Sequence, residues 1–300
     1  MKGLRRSMLF VPGNHPGMIQ NADIYGSDSI IFDLEDAVSL QEKDSARLLV
    51  KHALRKIDFG ETERVVRINP LDTGCGTQDL KMMVAAGPDA LMIPKATARR
   101  LIEADLMVGE IEAALGGNRQ PLAFIPIIES AVAVEEINEL LKASSRIVAA
   151  LLGGEDLTAD LGIQRTKAGD ELLYARSRVA MACCACGVDA IDTPYADTMD
   201  DEGLAKDTAK GKTVGFTGKA AIHPLQIEVI HRVYAPSEAE IHEARQIIRA
   251  MKQAEREGKG AVAVDGRMVD APIILRAEKL LQQAKAMGVH DMTDNVNGGA

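Results

Sequence analysis

Residues 29–38 read SIIFDLEDAV. The run Ser29-Ile30-Ile31-Phe32 is short and apolar, and it delivers three acids within four positions: Asp33, Glu35 and Asp36. Clustered carboxylates repel one another and resist desolvation unless something positive stands among them. The stretch therefore reads as a strand that ends in a polar site, and the question is how often the chain repeats it.

It repeats it along most of its length. Short apolar runs alternate with amphipathic stretches, the signature of βαβ units on a parallel sheet. Strands are expected at 7–11, 29–33, 64–68, 90–93, 122–128, 147–152, 190–192 and 218–222. Helical patterns fall at 15–25, 40–56, 78–86, 98–115, 131–143, 171–186 and 200–210. Ser39 with Glu42 fits a capping box, and Thr77 followed by Asp79 places an acid in a first helical turn. Eight strands, each followed by a helix, are what a (β/α)8 TIM barrel requires. A doubly wound sheet is the runner-up, but the chain lacks a Gly-rich phosphate loop after its first strand; PGNHPG at 12–17 is only a turn.

After the eighth strand the character changes. Residues 226–234 and 238–257 read as helices, the second opened by Ser237 with Glu240. AVAVDGRMVDAP at 261–272 reads as a hairpin turning at Asp265-Gly266, and a last helix is expected at 273–287. The expected organisation is a barrel over 1–234, a C-terminal helical and hairpin segment over 235–290, and a disordered tail, DMTDNVNGGA, at 291–300.

Composition narrows the function classes. Apolar content of 46% with 26% charge is that of a globular protein with a core. A net charge of −9 with scattered Lys and Arg argues against nucleic acid as a partner. No apolar run approaches the ~20 residues of a membrane span, and MKGLRRSMLFVPG does not read as a leader, so a cytoplasmic location without membrane association is expected. Cys183 and Cys186 form a C-x-x-C at the end of a helical pattern rather than its start, which reads as helix packing; no second pair completes a zinc site.

In a barrel, chemistry gathers at the C-terminal ends of the strands. Strand two ends in Asp33-Leu34-Glu35-Asp36, strand three in Arg67-Ile68-Asn69 and strand four in Pro94-Lys95. Strand five ends in Glu129, strand six in Gly153-Gly154-Glu155-Asp156 and strand seven in Asp192. Helix caps and ion pairs are the structural alternative for any one of these. Glu129 and Asp156 each follow an apolar strand directly, and two carboxylates with open positions for water suit Mg²⁺. The six histidines are dispersed, which disfavours zinc. Arg67 has the geometry to grip a substrate carboxylate bidentately, and Gly153 and Gly154 allow backbone amides near an anion. Lys95 at a strand end raises Schiff-base chemistry, but the surrounding acids would keep it protonated, so it reads as an electrostatic or structural residue.

The segments RRSMLFVPGN, FDLEDAVSLQEKDSAR, VRIN, IES, GGED and GRMVDAP together resemble the citrate lyase β-subunit group of citryl-thioester lyases. They also resemble the wider HpcH/HpaI aldolase–citrate lyase family, with its malyl-CoA, citramalyl-CoA and β-methylmalyl-CoA lyases. The resemblance spans roughly Arg5 to Leu281 and implies a Mg²⁺-dependent barrel that assembles as a homotrimer or hexamer. It implies Mg²⁺ ligation by Glu129 and Asp156, oxo-acid binding by Arg67, and backbone groups around Glu155 and Asp156 holding the substrate carboxylate. Asp270 matches a carboxylate that reaches a neighbouring subunit's active site, which makes the C-terminal segment a lid completed in trans. The implied reaction is cleavage of citryl-ACP or citryl-CoA to oxaloacetate and an acetyl thioester, with Asp270 moving the proton and further citrate lyase subunits as partners. Glu35 and Asp36 then read as acids holding metal-bound water, with Asp36 alternatively a cap or a partner of Lys43 and Arg47. Where the citrate-lyase pattern reads GKSLINP, this chain reads GKAAIHP at 218–224, a form shared with CoA-thioester members. A malyl-CoA or citramalyl-CoA lyase or thioesterase is therefore the alternative.

Overall fold

The structure, a computed structural model, describes residues 3–116, 120–256, 262–264 and 267–288. Eight parallel strands close into a barrel in chain order. They are β1 (Ser7–Pro12), β2 (Ser29–Asp33), β3 (Glu63–Arg67), β4 (Ala90–Ile93), β5 (Ala123–Ile128), β6 (Ala149–Leu152), β7 (Asp189–Asp192) and β8 (Gly218–Ala221). The ring closes where Ser7, Met8 and Leu9 of β1 lie against Lys219, Ala220 and Ala221 of β8. This is the expected (β/α)8 TIM barrel, and closure leaves no strand edge unpaired.

Side chains alternate along a strand, so each strand feeds two cores. Met8, Ile31, Val65, Met92, Ile125, Ile127, Leu151, Ile191 and Ala220 form a cluster made of strand residues alone, which fills the barrel. Leu9, Ile30, Phe32, Val66, Leu91, Phe124, Ala150 and Leu152 face the other way and pack against helix residues such as Val50, Leu80 and Val179. That parity decides which strand-end residues enter the barrel mouth.

The helices of the barrel are α1 (Pro16–Gln20), α2 (Lys43–Lys56), α3 (Gly74–Ala86), α4 (Ala98–Leu115), α5 (Ala131–Glu135), α6 (Ile137–Lys142), α7 (Gly154–Asp160), α8 (Leu173–Cys186), α9 (Asp201–Val214) and α10 (Gln226–Tyr234). Several starts differ from expectation. Ser39 makes no amide cap; its hydroxyl donates to Glu42 at 2.9 Å, and a 3-10 turn over Leu40–Glu42 precedes α2. α3 opens three residues before Thr77, because Thr73 accepts from the Gly76 amide at 3.1 Å and so caps an earlier turn. Asp79 is then a buried mid-helix acid. The pattern at 131–143 breaks into α5 and α6, and α7 was not foreseen. Cys183 is buried and its thiol is pushed up to about 12 by burial, the packing role expected of it; Cys184 is exposed.

The chain divides into two compact units, Met1–Tyr234 and Ala235–Ala300. In the second, α11 (Glu238–Arg256) packs against α12 (Ala271–Ala286), and β9 (Val262–Val264) pairs antiparallel with β10 (Arg267–Val269). The Ser237 box forms: its hydroxyl accepts from the Glu240 amide at 3.2 Å while its own amide donates to the Glu240 carboxylate at 2.7 Å. The expected turn at Asp265-Gly266, the helix end at Glu257 and the tail at 291–300 lie outside the described residues. Among the described residues no helix is long and apolar enough to cross a membrane.

Candidate active site

A cavity of about 450 Å³ opens at the C-terminal ends of the strands. Its walls obey the parity rule. Phe10, Pro12, Asp33, Arg67, Ile127, Leu151, Gly153, Thr193 and Ile222 all line it, each an even number of residues from an interior side chain of its own strand. Glu129, two past Ile127, joins them, as do Asp36 from the loop after β2 and Glu155 and Asp156 from the first turn of α7.

Arg67 is the cation that the acids of 29–38 require. Its Nε and Nη2 donate to the two oxygens of Asp33 at 2.7 and 2.6 Å. Its Nη1 lies 3.1 Å from Glu35 and 3.2 Å from Asp36. The guanidinium stacks 5.0 Å from the Phe10 ring centroid, which also fixes its plane. Burial works against the Arg67 charge, but the three carboxylates outweigh it and hold the group protonated. Strand alternation would separate Asp36 from Asp33 and Glu35, yet all three reach one residue. The reason is local: Asp33 accepts from the amides of Glu35 at 2.8 Å and Ala37 at 3.1 Å, turning the chain immediately after β2. Lys43 and Arg47 are not partners of Asp36. Lys43 donates to the carbonyls of Leu34 and Glu35, and Arg47 binds Asp44 and Asp79.

Glu129 is buried at the end of β5 and accepts a hydrogen bond from the Lys95 amide. Lys95 makes this bond from a left-handed backbone, φ 48°, strain that a non-glycine residue adopts only when its surroundings impose it. Its side chain is exposed, and its carbonyl accepts from Arg100 at 2.7 Å. Burial, reinforced by the Asp156 charge, lifts the Glu129 carboxyl to about 7 against the pull of Lys95 and Arg67. Burial likewise lifts Glu35 to about 8; Arg67 opposes this, while Asp36, Glu129 and Asp33 add to it. The mouth thus carries more negative charge than Arg67 neutralises.

The turn from β6 into α7 brings Asp156 to the same cavity. Its two glycines are required by space: a Cβ at Gly153 would lie 2.6 Å from the Glu129 Cβ, and one at Gly154 would lie 2.8 Å from the Thr193 hydroxyl. Neither amide is open to an anion, contrary to expectation. Gly153 donates to the Ile128 carbonyl at 2.9 Å and Gly154 to Thr193 Oγ1 at 3.0 Å. The amides of Glu155 and Asp156, where the resemblance places the substrate carboxylate, make no hydrogen bond within the described residues. The Glu155 side chain meets Arg165 at 3.1 Å.

Among the described residues no three His, Cys, Asp or Glu side chains form a ready cage for a metal. Two carboxylates in a cavity with excess negative charge and only oxygen donors still fit a hard ion that keeps several of its waters.

Other strand-end residues lie elsewhere. Asp192 is adjacent to interior Ile191 and so points outward, where it is fully buried against Arg176 and Lys219. Asn69 is buried and bonds Asp79 and the Leu34 carbonyl. Asp270 belongs to the second unit and caps α12, accepting from the Ile273 amide at 3.4 Å. Sequence reading missed Thr193 and Phe10, although counting by twos from Ile191 and Met8 identifies both.

A family model described as HpcH/HpaI aldolase/citrate lyase matches residues 6–224. The chain is 45% identical over 284 residues to a citrate lyase subunit beta of Haemophilus influenzae, covering 94% of this chain and 98% of that one. It is 35% identical over 301 residues to an L-malyl-CoA/beta-methylmalyl-CoA lyase of Cereibacter sphaeroides, covering 93% and 94%. A crystal structure of the protein CitE from Mycobacterium tuberculosis in complex with magnesium, acetoacetate and coenzyme A is similar with a TM-score of 0.78 at 31% identity, covering 95% of this chain and 99% of that one.

Proposed function

The chain belongs to the HpcH/HpaI aldolase/citrate lyase family, and on that premise we propose that it is a Mg²⁺-dependent carbon–carbon lyase. It cleaves a citryl thioester, carried on CoA or an acyl-carrier protein, to oxaloacetate and an acetyl thioester. One observation carries this reading: Arg67, Glu129 and Asp156, from three different strand ends, line a single cavity.

Glu129 and Asp156 would hold the metal, with water and substrate oxygens completing its shell. Bound there, Mg²⁺ supplies Lewis acidity to the hydroxyl and carboxylate oxygens of the substrate. In the reaction the substrate hydroxyl gives up its proton to solvent water and the adjacent C–C bond breaks. Its electron pair passes to the thioester as an enolate, and a proton returned to that carbon completes the acetyl group. Arg67 places fixed positive charge beside the oxo-acid half, and because Asp33 and Phe10 already hold it in place, little reorganisation is needed. Asp33 occupies the Nε–Nη2 edge and Glu35 and Asp36 stand at Nη1, so a substrate carboxylate meets the second Nη2 donor and takes the place of the exposed Asp36 at Nη1. The free amides of Glu155 and Asp156 hold the substrate carboxylate, and Glu35 and Asp36 would steady water at the metal when it is bound. Asp270 returns the proton to the enolate carbon from a neighbouring subunit in a homotrimer or hexamer, with residues 235–290 as the lid.

The test is a substrate panel. Citryl-CoA or citryl-acyl-carrier protein should be cleaved in the presence of Mg²⁺ and not with EDTA. Preference for malyl-CoA or citramalyl-CoA would select the alternative supported by the resemblance to the Cereibacter sphaeroides enzyme. Turnover of none of them would remove the proposal.

A further inference from the structure

Thr193, the inward residue just past β7, joins the start of α7 to a buried ionic cluster. Its hydroxyl accepts from the Gly154 amide, the first residue of α7, at 3.0 Å. Its carbonyl accepts from Lys219 Nζ at 2.6 Å. The other two ammonium protons of Lys219 go to Asp192 at 3.0 Å and Asp207 at 2.6 Å, so all three of its donors are used. Arg176 binds the same two acids, by two bonds of 3.0 Å to Asp192 and one of 2.7 Å to Asp207. These four side chains are at most 3% exposed and their formal charges sum to zero. Removing any one of these side chains would leave an uncompensated buried charge, so the cluster is a stiff anchor.

We propose that Thr193 is a positioning residue: it transmits the rigidity of this buried cluster to the start of α7 and thereby fixes Asp156 opposite Glu129. This rests on the reading that Asp156 and Glu129 hold Mg²⁺. Two independent features support it. A Cβ on Gly154 would meet the Thr193 hydroxyl at 2.8 Å, so the turn is seated directly on the threonine rather than bridged to it. The Gly154 amide is also buried, so no solvent replaces the hydroxyl if it is lost. Valine keeps the shape of threonine without its acceptor, whereas serine keeps the acceptor.

The experiment measures Mn²⁺ affinity by electron paramagnetic resonance without any oxo-acid, and oxaloacetate affinity by calorimetry with Mg²⁺. Thr193→Val should weaken Mn²⁺ binding about tenfold or more, the scale on which a lost supporting partner affects a metal site. Thr193→Ser should restore it to within about threefold. If Thr193→Val does not fold, Thr193→Ala removes the same acceptor. Unchanged Mn²⁺ affinity with weakened oxaloacetate binding would show Thr193 to be a substrate contact and overturn the proposal. So would equal losses in the serine and valine variants. Absence of Mn²⁺ binding by the wild-type protein would instead mark failure of the metal reading itself.

Discussion

Glu129→Gln should make the metal-free protein more stable at pH 8. Burial lifts the folded-state carboxyl to about 7 from an ordinary 4.5. The sign follows from proton counts. Between these values the folded state holds a proton that the unfolded chain has released, so stability falls as pH rises from about 4.5 through about 7. Each unit is worth ~1.4 kcal/mol, so charging Glu129 costs the fold about 3 kcal/mol above pH 7 and under 1 kcal/mol at pH 5. Glutamine keeps the oxygen that accepts from the Lys95 amide and removes the charge; its own desolvation reduces the gain to ~1–3 kcal/mol. At ~2–4 °C per kcal/mol for a unit of this size, Tm in EDTA should rise by roughly 2–12 °C at pH 8 and by about 2 °C or less at pH 5. Excess Mg²⁺ should raise the Tm of the wild type but not of the variant. A variant no more stable than wild type at pH 8, or equally stabilised at both pH values, would refute the reasoning.

Three further outcomes follow from the same geometry. Because Glu129 and Glu35 carry raised carboxyls and a metal needs them ionised, Mg²⁺ binding at pH 6 should release about one proton or more; calorimetry in two buffers of different ionisation enthalpy counts it, and no release contradicts the placement. Asp270→Asn should bind oxaloacetate with Mg²⁺ within about threefold of wild type yet lose C–C cleavage by orders of magnitude; joint loss of binding would reduce Asp270 to its role as the α12 cap. Lys219→Met should cost about 3–5 kcal/mol in urea unfolding, since it leaves Asp192 and Asp207 with one cation between them; an unchanged midpoint would show the cluster to be dispensable.

The barrel was legible because its strands are short apolar runs separated by amphipathic ones, a pattern that survives errors of a residue or two at each end. Side-chain direction does not survive such errors. Asp192 sits at a strand end like Glu129, but it is one residue from interior Ile191 while Glu129 is two from interior Ile127, so the first is walled into the helical layer and the second enters the mouth. The Asp33 turn was hidden for a different reason. Its side chain takes two downstream amides, and that bond, not the strand period, brings Asp36 round to Arg67. α7 escaped notice because only seven residues separate Gly154 from Asp160 inclusive, too short for a helical period to show. The family resemblance came from motifs distributed over the chain. The strand-end pattern had already singled out Glu129, Asp156 and Arg67, which line one cavity, but it gave no sign that the amides of Gly153 and Gly154 are taken.

The most direct measurement is a calorimetric titration of oxaloacetate into wild-type, Glu129→Gln and Asp156→Asn proteins, each with Mg²⁺ and with EDTA. The account predicts binding to the wild type only when Mg²⁺ is present, and at least a hundredfold loss in either variant. Oxaloacetate binding of equal strength in all six titrations would contradict a metal held between these two carboxylates.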